Sequence, residues 1–195
     1  MKASPKNPKD AIQRLKDGNK AYCKDASAGE ARDQAERDKW LTKQEPWAII
    51  LSCADSRVAP EFIFDTGIGE LFVIRVAGNV ANTSSIASIE YAVAHLKVPL
   101  IVVLGHQSCG AVSAALGGGD NGHNLNHLLA HITPAVSKTK GDASDADTVK
   151  KCVKKNAKLQ CKELVARSSI ISSAVESGKL EIVDAYYQLS GKVDF

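Results

Sequence analysis

The sequence has no apolar run approaching the ~20 residues that a membrane-spanning helix needs, so no membrane association is expected. Its start, Met1-Lys2-Ala3-Ser4-Pro5-Lys6, has no apolar stretch behind it, which predicts no secretory signal. An excess of one charge is missing too. The 25 Lys and Arg against 22 Asp and Glu leave a net charge of +3. No dense basic cluster carries interleaved aromatics, so nucleic acid is not an expected partner. Lys150-Lys151 and Lys154-Lys155 sit in a helical pattern and read as a solvated face. The 5 cysteines are an odd number without the spacing of a disulfide scaffold. That predicts a reducing compartment, cytoplasmic or, if a transit peptide has been removed, organellar. There is no internal repeat and no low-complexity segment.

What is present is enough for one domain with a real core: 195 residues, 44% hydrophobic and 24% charged. Residues 8–24 and about 30–43 read as two helices rich in Ala, Lys, Glu and Gln. They look too polar to carry a core. They are expected to form an arm (1–45) lying on something else, a partner subunit being one choice. Glu45-Pro46 ends the arm, and residues 46–195 form the core domain. Apolar runs at about 47–52, 71–76, 100–104 and 180–187 read as strands. Between them lie a helical turn near Pro60 and a helix capped by Thr83 or Ser84 that carries Ile86, Ile89, Ala92, Val93 and Leu96. Further helices are expected at 108–116, 125–136 and 148–177, the last stopped by Gly178. The glycines of 117–122 read as a loop rather than a phosphate cradle, since no Gly-Lys-Ser/Thr follows. Alternating elements with nearly all-apolar central strands predict an α/β fold with a mostly parallel, two-side-covered sheet.

Two strand ends carry the chemistry. The run Trp47–Leu51 delivers Cys53-Ala54-Asp55-Ser56-Arg57, and the run Leu100–Leu104 delivers Gly105-His106-Gln107-Ser108-Cys109-Gly110. Open α/β sheets place ligands at such ends. Adjacent strands would bring Cys53, His106 and Cys109 to one point. Two thiolates and an imidazole suit zinc, and three protein ligands leave its fourth position open. Either motif alone occurs by chance. A buried Cys or His is ordinarily just core, but both motifs follow strands.

From about Gln44 to the C-terminus the chain resembles the β-class carbonic anhydrases. The resemblance rests on Cys-x-Asp-x-Arg-Val, Leu-Phe-Val-Ile-Arg-x-Ala-Gly-Asn, Ile-Glu-Tyr-Ala-Val and Gly-His-x-x-Cys-Gly-Ala, in that order. It implies zinc on Cys53, His106 and Cys109, an Asp55–Arg57 pair beside the metal, and CO2 attacked by a zinc-bound hydroxide. Asp55 would accept the hydroxide's hydrogen bond and turn a lone pair towards CO2. Arg57 would keep Asp55 ionised and fixed. Two thiolates already neutralise the ion's charge, so less acidification of its water is expected than with three histidines. Hydration should then accelerate above neutral pH.

The resemblance further implies a substrate pocket of Gln44, a donor to bicarbonate, with Phe72 and Tyr91 as an apolar wall. For those two aromatics, plain core packing is an equal reading. Regulated members, in which the aspartate binds zinc at lower pH, carry a Trp three residues before the first zinc Cys. Here that residue is Ile50, which favours an open site. Gly110 would let the following helix pack closely on the site. Gly78 and Asn79 match a turn beside it. The family forms dimers through the arm, which implies a homodimer or higher homo-oligomer.

His95 is a proton shuttle by type only. His123, His127 and His131 share a helix face without an accompanying Cys or Glu, and read as a polar face. Cys152 and Cys161, nine apart on one helix, point to opposite faces. Cys23 lies in the arm and is expected to be exposed. Two other functions stay open in the sequence. One is hydrolysis of carbonyl sulfide or carbon disulfide at the same zinc. The other is a non-catalytic zinc or thiol sensor, which the Asp55–Arg57 pair argues against, since a structural zinc site needs four ligands and no such pair.

Overall fold

A computed structural model describes residues 4–28 and 33–195 of the chain. Its centre is a five-stranded sheet in the order β2-β1-β3-β4-β5. The strands are β1 (Ala48–Ser52), β2 (Leu71–Arg75), β3 (Leu100–His106), β4 (Glu181–Tyr187) and β5 (Val193–Asp194). The first four run parallel, and the short β5 pairs antiparallel with the end of β4. Every residue of β1 and β3 is buried. Helices cover both faces of these inner strands, so a strand there needs no polar side. β2 is an edge strand and each of its residues is at least partly exposed.

Helices α1 (Pro8–Tyr22), α2 (Gln34–Asp38), α3 (Pro60–Ile63), α4 (Thr83–Ala94), α5 (Gly110–Gly117), α6 (His123–Ala130), α7 (Thr133–Val136), α8 (Ala146–Arg167) and α9 (Ser169–Glu176) complete the fold. One face of the sheet packs Ala11, Leu15, Trp47, Ile50, Phe64 and Leu104. The other packs Ile49, Leu51, Ile89, Ile101, Val103 and Leu164. Among the described residues, no helix is long and apolar enough to cross a membrane.

The N-terminal helix departs from the expectation. It buries Ala11, Arg14, Leu15, Gly18 and Asn19, spaced as one helical stripe, against its own chain. Asn19 donates to the Ile63 and Gly191 carbonyls (3.1 and 2.8 Å) and accepts from the Val193 amide (2.9 Å). A Cβ on Gly18 would stand 1.8 Å from the Phe64 carbonyl oxygen, so only glycine lets the helix seat there. A narrow stripe of small residues suffices for this docking, which is why composition alone read the helix as too polar. The second expected helix shrinks to α2, and part of the expected 30–43 span lies outside the described residues.

Two long helices are each broken in two. The 148–177 span divides at Ser168, whose extended backbone (φ −135°) ends α8 while its hydroxyl accepts from the Ile171 amide to start α9. The 125–136 span divides between Ala130 and Thr133, where Pro134 begins a new turn. Helix α4 is capped by Asn82, one residue before the expected cap. The two-residue β5 was missed because it is too short to show a pattern.

Candidate metal centre

Register brings the two motifs together. β1 and β3 are hydrogen-bonded neighbours, with Ser52 opposite Leu104, so Cys53 and His106 leave the sheet side by side. The chain turns after His106 through Ser108, a non-glycine residue at φ 56°. That left-handed conformation costs about 1–3 kcal/mol, and it sends Cys109 back beside His106. The Gln107 amide donates to the Tyr187 carbonyl (2.8 Å), and its side-chain oxygen accepts from the Leu189 amide (3.0 Å). β4 thereby holds the strained turn.

The Cys53 and Cys109 sulfurs and a His106 ring nitrogen lie within 4.8 Å of one another, all buried. His106 is fully buried. Its Nδ1 lies 2.9 Å from the Gln107 carbonyl oxygen, which can only accept, so Nδ1 carries the proton. Nε2 is left with a bare lone pair and no hydrogen-bond partner. A buried, unpartnered nitrogen facing two sulfurs is costly as a protein interior and fits a metal ligand. A carbonyl acceptor on the far nitrogen is the usual support for such a ligand.

The two thiols are coupled. The bond between them pulls the Cys53 thiol well below its ordinary value, with burial opposing. The same bond and burial push Cys109 up, while the Ala111 and Val112 amides at the start of α5 pull it down. The Gly78 amide adds a hydrogen bond to Cys53 Sγ (3.4 Å). A soft divalent cation would displace thiol protons and take both sulfurs as thiolates.

Asp55 sits beside this cluster, its Oδ2 4.0 Å from His106 Nε2. Arg57 donates Nε to Asp55 Oδ1 (2.9 Å) and Nη2 to Oδ2 (2.8 Å), and its backbone amide adds a third bond to Oδ1 (2.9 Å). This bidentate grip holds the Asp55 carboxyl well below the usual carboxylate range. Half of the Arg57 side chain is exposed (51%), so the pair adds little to stability. Its effect is orientation. Arg75, within a quoted motif but given no role there, holds the loop from β2: its guanidinium donates to the Cys53 and Asp55 carbonyls (3.0 and 2.7 Å).

The expected pocket residues are less concentrated. Phe72 and Tyr91 stack at 6.4 Å between centroids, and Tyr91 is 49% exposed. His95 packs on Tyr91 at 5.1 Å. Gln44 is exposed. Gly110 does not serve the close packing expected of it, because a Cβ there would meet nothing within 4 Å. The close approach belongs to Gly78 (φ 69°), where a Cβ would stand 2.6 Å from Ile132 Cδ1. His127 and His131 meet edge to face at 5.8 Å and belong to no metal cluster found among the described residues.

A family model described as carbonic anhydrase matches residues 48–193. Carbonic anhydrase 2 of Mycobacterium tuberculosis is 40% identical over 187 residues, covering 94% of this chain and 89% of its own. A carbonic anhydrase of Mycolicibacterium smegmatis is 36% identical over 193 residues, covering 96% and 93%. Among solved structures, a Coccomyxa β-carbonic anhydrase in complex with acetazolamide aligns with a TM-score of 0.75 at 28% identity, over 94% of this chain and 85% of that one. A Sordaria macrospora β-carbonic anhydrase, described as tetrameric, aligns at 0.74 and 23% identity over 95% and 96%. The fold, the buried Cys-His-Cys cluster and these matches agree: the chain belongs to the β-class carbonic anhydrase family.

Proposed function

We propose that the chain interconverts CO2 and bicarbonate at a zinc ion held by Cys53, His106 and Cys109. The observation that carries this is the buried Cys53, His106 and Cys109 group, its ligand atoms within 4.8 Å of one another and its His106 Nε2 left without a hydrogen-bond partner. Bound there, zinc supplies Lewis-acid chemistry that acidifies a water at its fourth position. The chain's own residues do the rest. Asp55, fixed by Arg57 and kept ionised, accepts the hydrogen bond of the attacking oxygen and directs its lone pair. The Arg75 guanidinium steadies the loop that carries both Cys53 and Asp55. Phe72 and Tyr91 offer an apolar wall, and Gln44 a donor to bicarbonate.

The exposure of Gln44, and of Tyr91 where it packs on Phe72 of the edge strand β2, supports a pocket finished by a second copy of the chain. The sulfur ligands suit a reducing, cytoplasmic setting.

Stopped-flow CO2 hydration on protein of measured zinc content tests the proposal. Rapid hydration with about one zinc per chain is the expected result. Zinc without hydration, together with turnover of carbonyl sulfide, would replace the substrate. Absence of zinc from protein prepared in zinc-containing medium would overturn the site.

A further inference from the structure

The buried stripe of α8 contains two amide side chains where an apolar residue would fill the space. Asn156 is fully buried and Gln160 is 2% exposed, among Val153, Ala157 and Leu164. Helical spacing stacks them one turn apart. Asn156 Nδ2 donates to the Gly78 carbonyl (2.9 Å), and Gln160 Oε1 accepts from the Ala81 amide (2.8 Å). Gln160 Nε2 donates to Asn156 Oδ1 (3.0 Å) and to the His131 carbonyl (3.1 Å). These orientations are forced. A backbone amide only donates and a carbonyl only accepts, so each side chain has one way to face.

What the pair holds is the segment 77–81, which opens with a 3-10 turn (Ala77–Asn79) that has Gly78 and Asn79 at positive φ (69° and 46°). The strands do not pair with it. From the end of the same helix, Arg167 Nη1 donates to the Ala81 carbonyl (2.5 Å). With its carbonyl tied to Asn156 and its α-carbon against Ile132, Gly78 has little freedom left. Its remaining polar group, the amide N–H, points at Cys53 Sγ.

We propose that Asn156, locked by Gln160, is a positioning residue for the metal centre. It fixes Gly78 so that one N–H donates to the Cys53 thiolate, drawing electron density from that sulfur and presetting its place in the ligand set. The inference rests on the zinc reading above. Hydrogen bonds to ligand atoms of this kind orient a ligand and tune its donor strength. A purely structural pair would steady the helix and leave the sulfur's electronic state alone.

The test uses the full chain, stripped of metal and reloaded with zinc or cobalt(II). Zinc affinity is read by competition with a chromophoric chelator, and the sulfur by the cobalt–thiolate charge-transfer band. Asn156→Ala is expected to weaken zinc binding about tenfold to a hundredfold, the loss of a preset ligand position outweighing the gain in donor strength, and to move the band to longer wavelength, as a more electron-rich sulfur requires. Asn156→Ser, closer in polarity, carries the test if the alanine variant fails to fold, with the same expected directions. Ala157→Gly is the control: it loosens the same helix and lowers Tm without touching either amide. Wild-type zinc affinity and an unshifted band in a folded Asn156 variant would overturn the proposal. So would equal changes in Ala157→Gly, which would assign the effect to general loosening. A wild-type chain that binds no zinc would overturn the zinc reading itself, before any variant is compared.

Discussion

Arg57 holds both oxygens of Asp55 from two residues away, and its own backbone amide adds a further bond to the same carboxylate. One residue thus supplies both arms of a clamp, so the pair is local in sequence. The clamp leaves Asp55 as a fixed acceptor beside His106 and Cys53 rather than a swinging side chain. Asp55→Asn keeps the shape but presents a donor where an acceptor is needed. It should lower kcat for CO2 hydration about a hundredfold while zinc content stays near wild type. Arg57→Lys loses the bidentate fork and should fall in between. Stopped-flow rates normalised to bound zinc decide this. Full activity in Asp55→Asn would remove Asp55 from the mechanism.

The ligand set was legible because each half stands at the end of an all-apolar strand, where sequence pattern and chemistry coincide. Cys53, His106 and Cys109 needed only the assumption that β1 and β3 are neighbours, and they are. What escaped were the groups whose role is set by long-range packing. Gly78 meets Ile132 from 54 residues away, while Gly110, closer in sequence to Cys109, meets nothing. Asn156 and Gln160 did leave a trace: two amides on the apolar stripe of a helix are a local conflict that calls for buried partners. The N-terminal helix misled because Ala11, Gly18 and Asn19 dock by fit and hydrogen bonds, which composition does not register.

The left-handed backbone at Gly78 makes a second prediction. Gly78→Ala would place a methyl 2.6 Å from Ile132 Cδ1 at φ 69°. Ile132 has a flexible end that can yield, so the larger part of the cost is backbone strain, about 1–3 kcal/mol. Thermal unfolding should show the loss. Gly78→Ala/Ile132→Val, with the clash relieved, should recover only part of it. Full recovery in the double variant would show that contact, rather than backbone conformation, demands glycine there.

Asp145 caps α8, the helix that carries Asn156 and Gln160. Its carboxylate accepts from the Thr148 amide and hydroxyl (2.9 and 2.6 Å) and from the Asp147 amide (3.3 Å). The Thr148 hydroxyl bond, then its amide, holds this carboxyl below its ordinary value. A carboxyl depressed in the folded state adds stability that is fully present above its unfolded pKa, about 3.9, and is lost as pH falls through the folded value. The Tm gap between wild type and Asp145→Ala should therefore be widest near pH 6–7 and shrink below about pH 4. A gap independent of pH would mean that the ionised cap contributes nothing beyond its shape.

The same clamp bears on whether the site rests open or closed. For Asp55 to close the centre by ligating zinc, it must leave three hydrogen bonds from Arg57. Ile50 stands where regulated members of the family carry Trp, and it is fully buried in the core with no polar group to bind bicarbonate. Both features favour an open centre. In an open centre, a single ionisation controls the nucleophile, so the rate of hydration falls by no more than about tenfold per pH unit below that ionisation. A closing aspartate couples ligand exchange to protonation and gives a steeper fall. The expected profile between pH 8.5 and pH 6.5 is a smooth decline of at most one decade per unit. Arg57→Ala frees Asp55 and should steepen it. A wild-type profile already steeper than one decade per unit would show that Asp55 closes the site despite its clamp. An unchanged profile in Arg57→Ala would show that Arg57 is not what keeps it open.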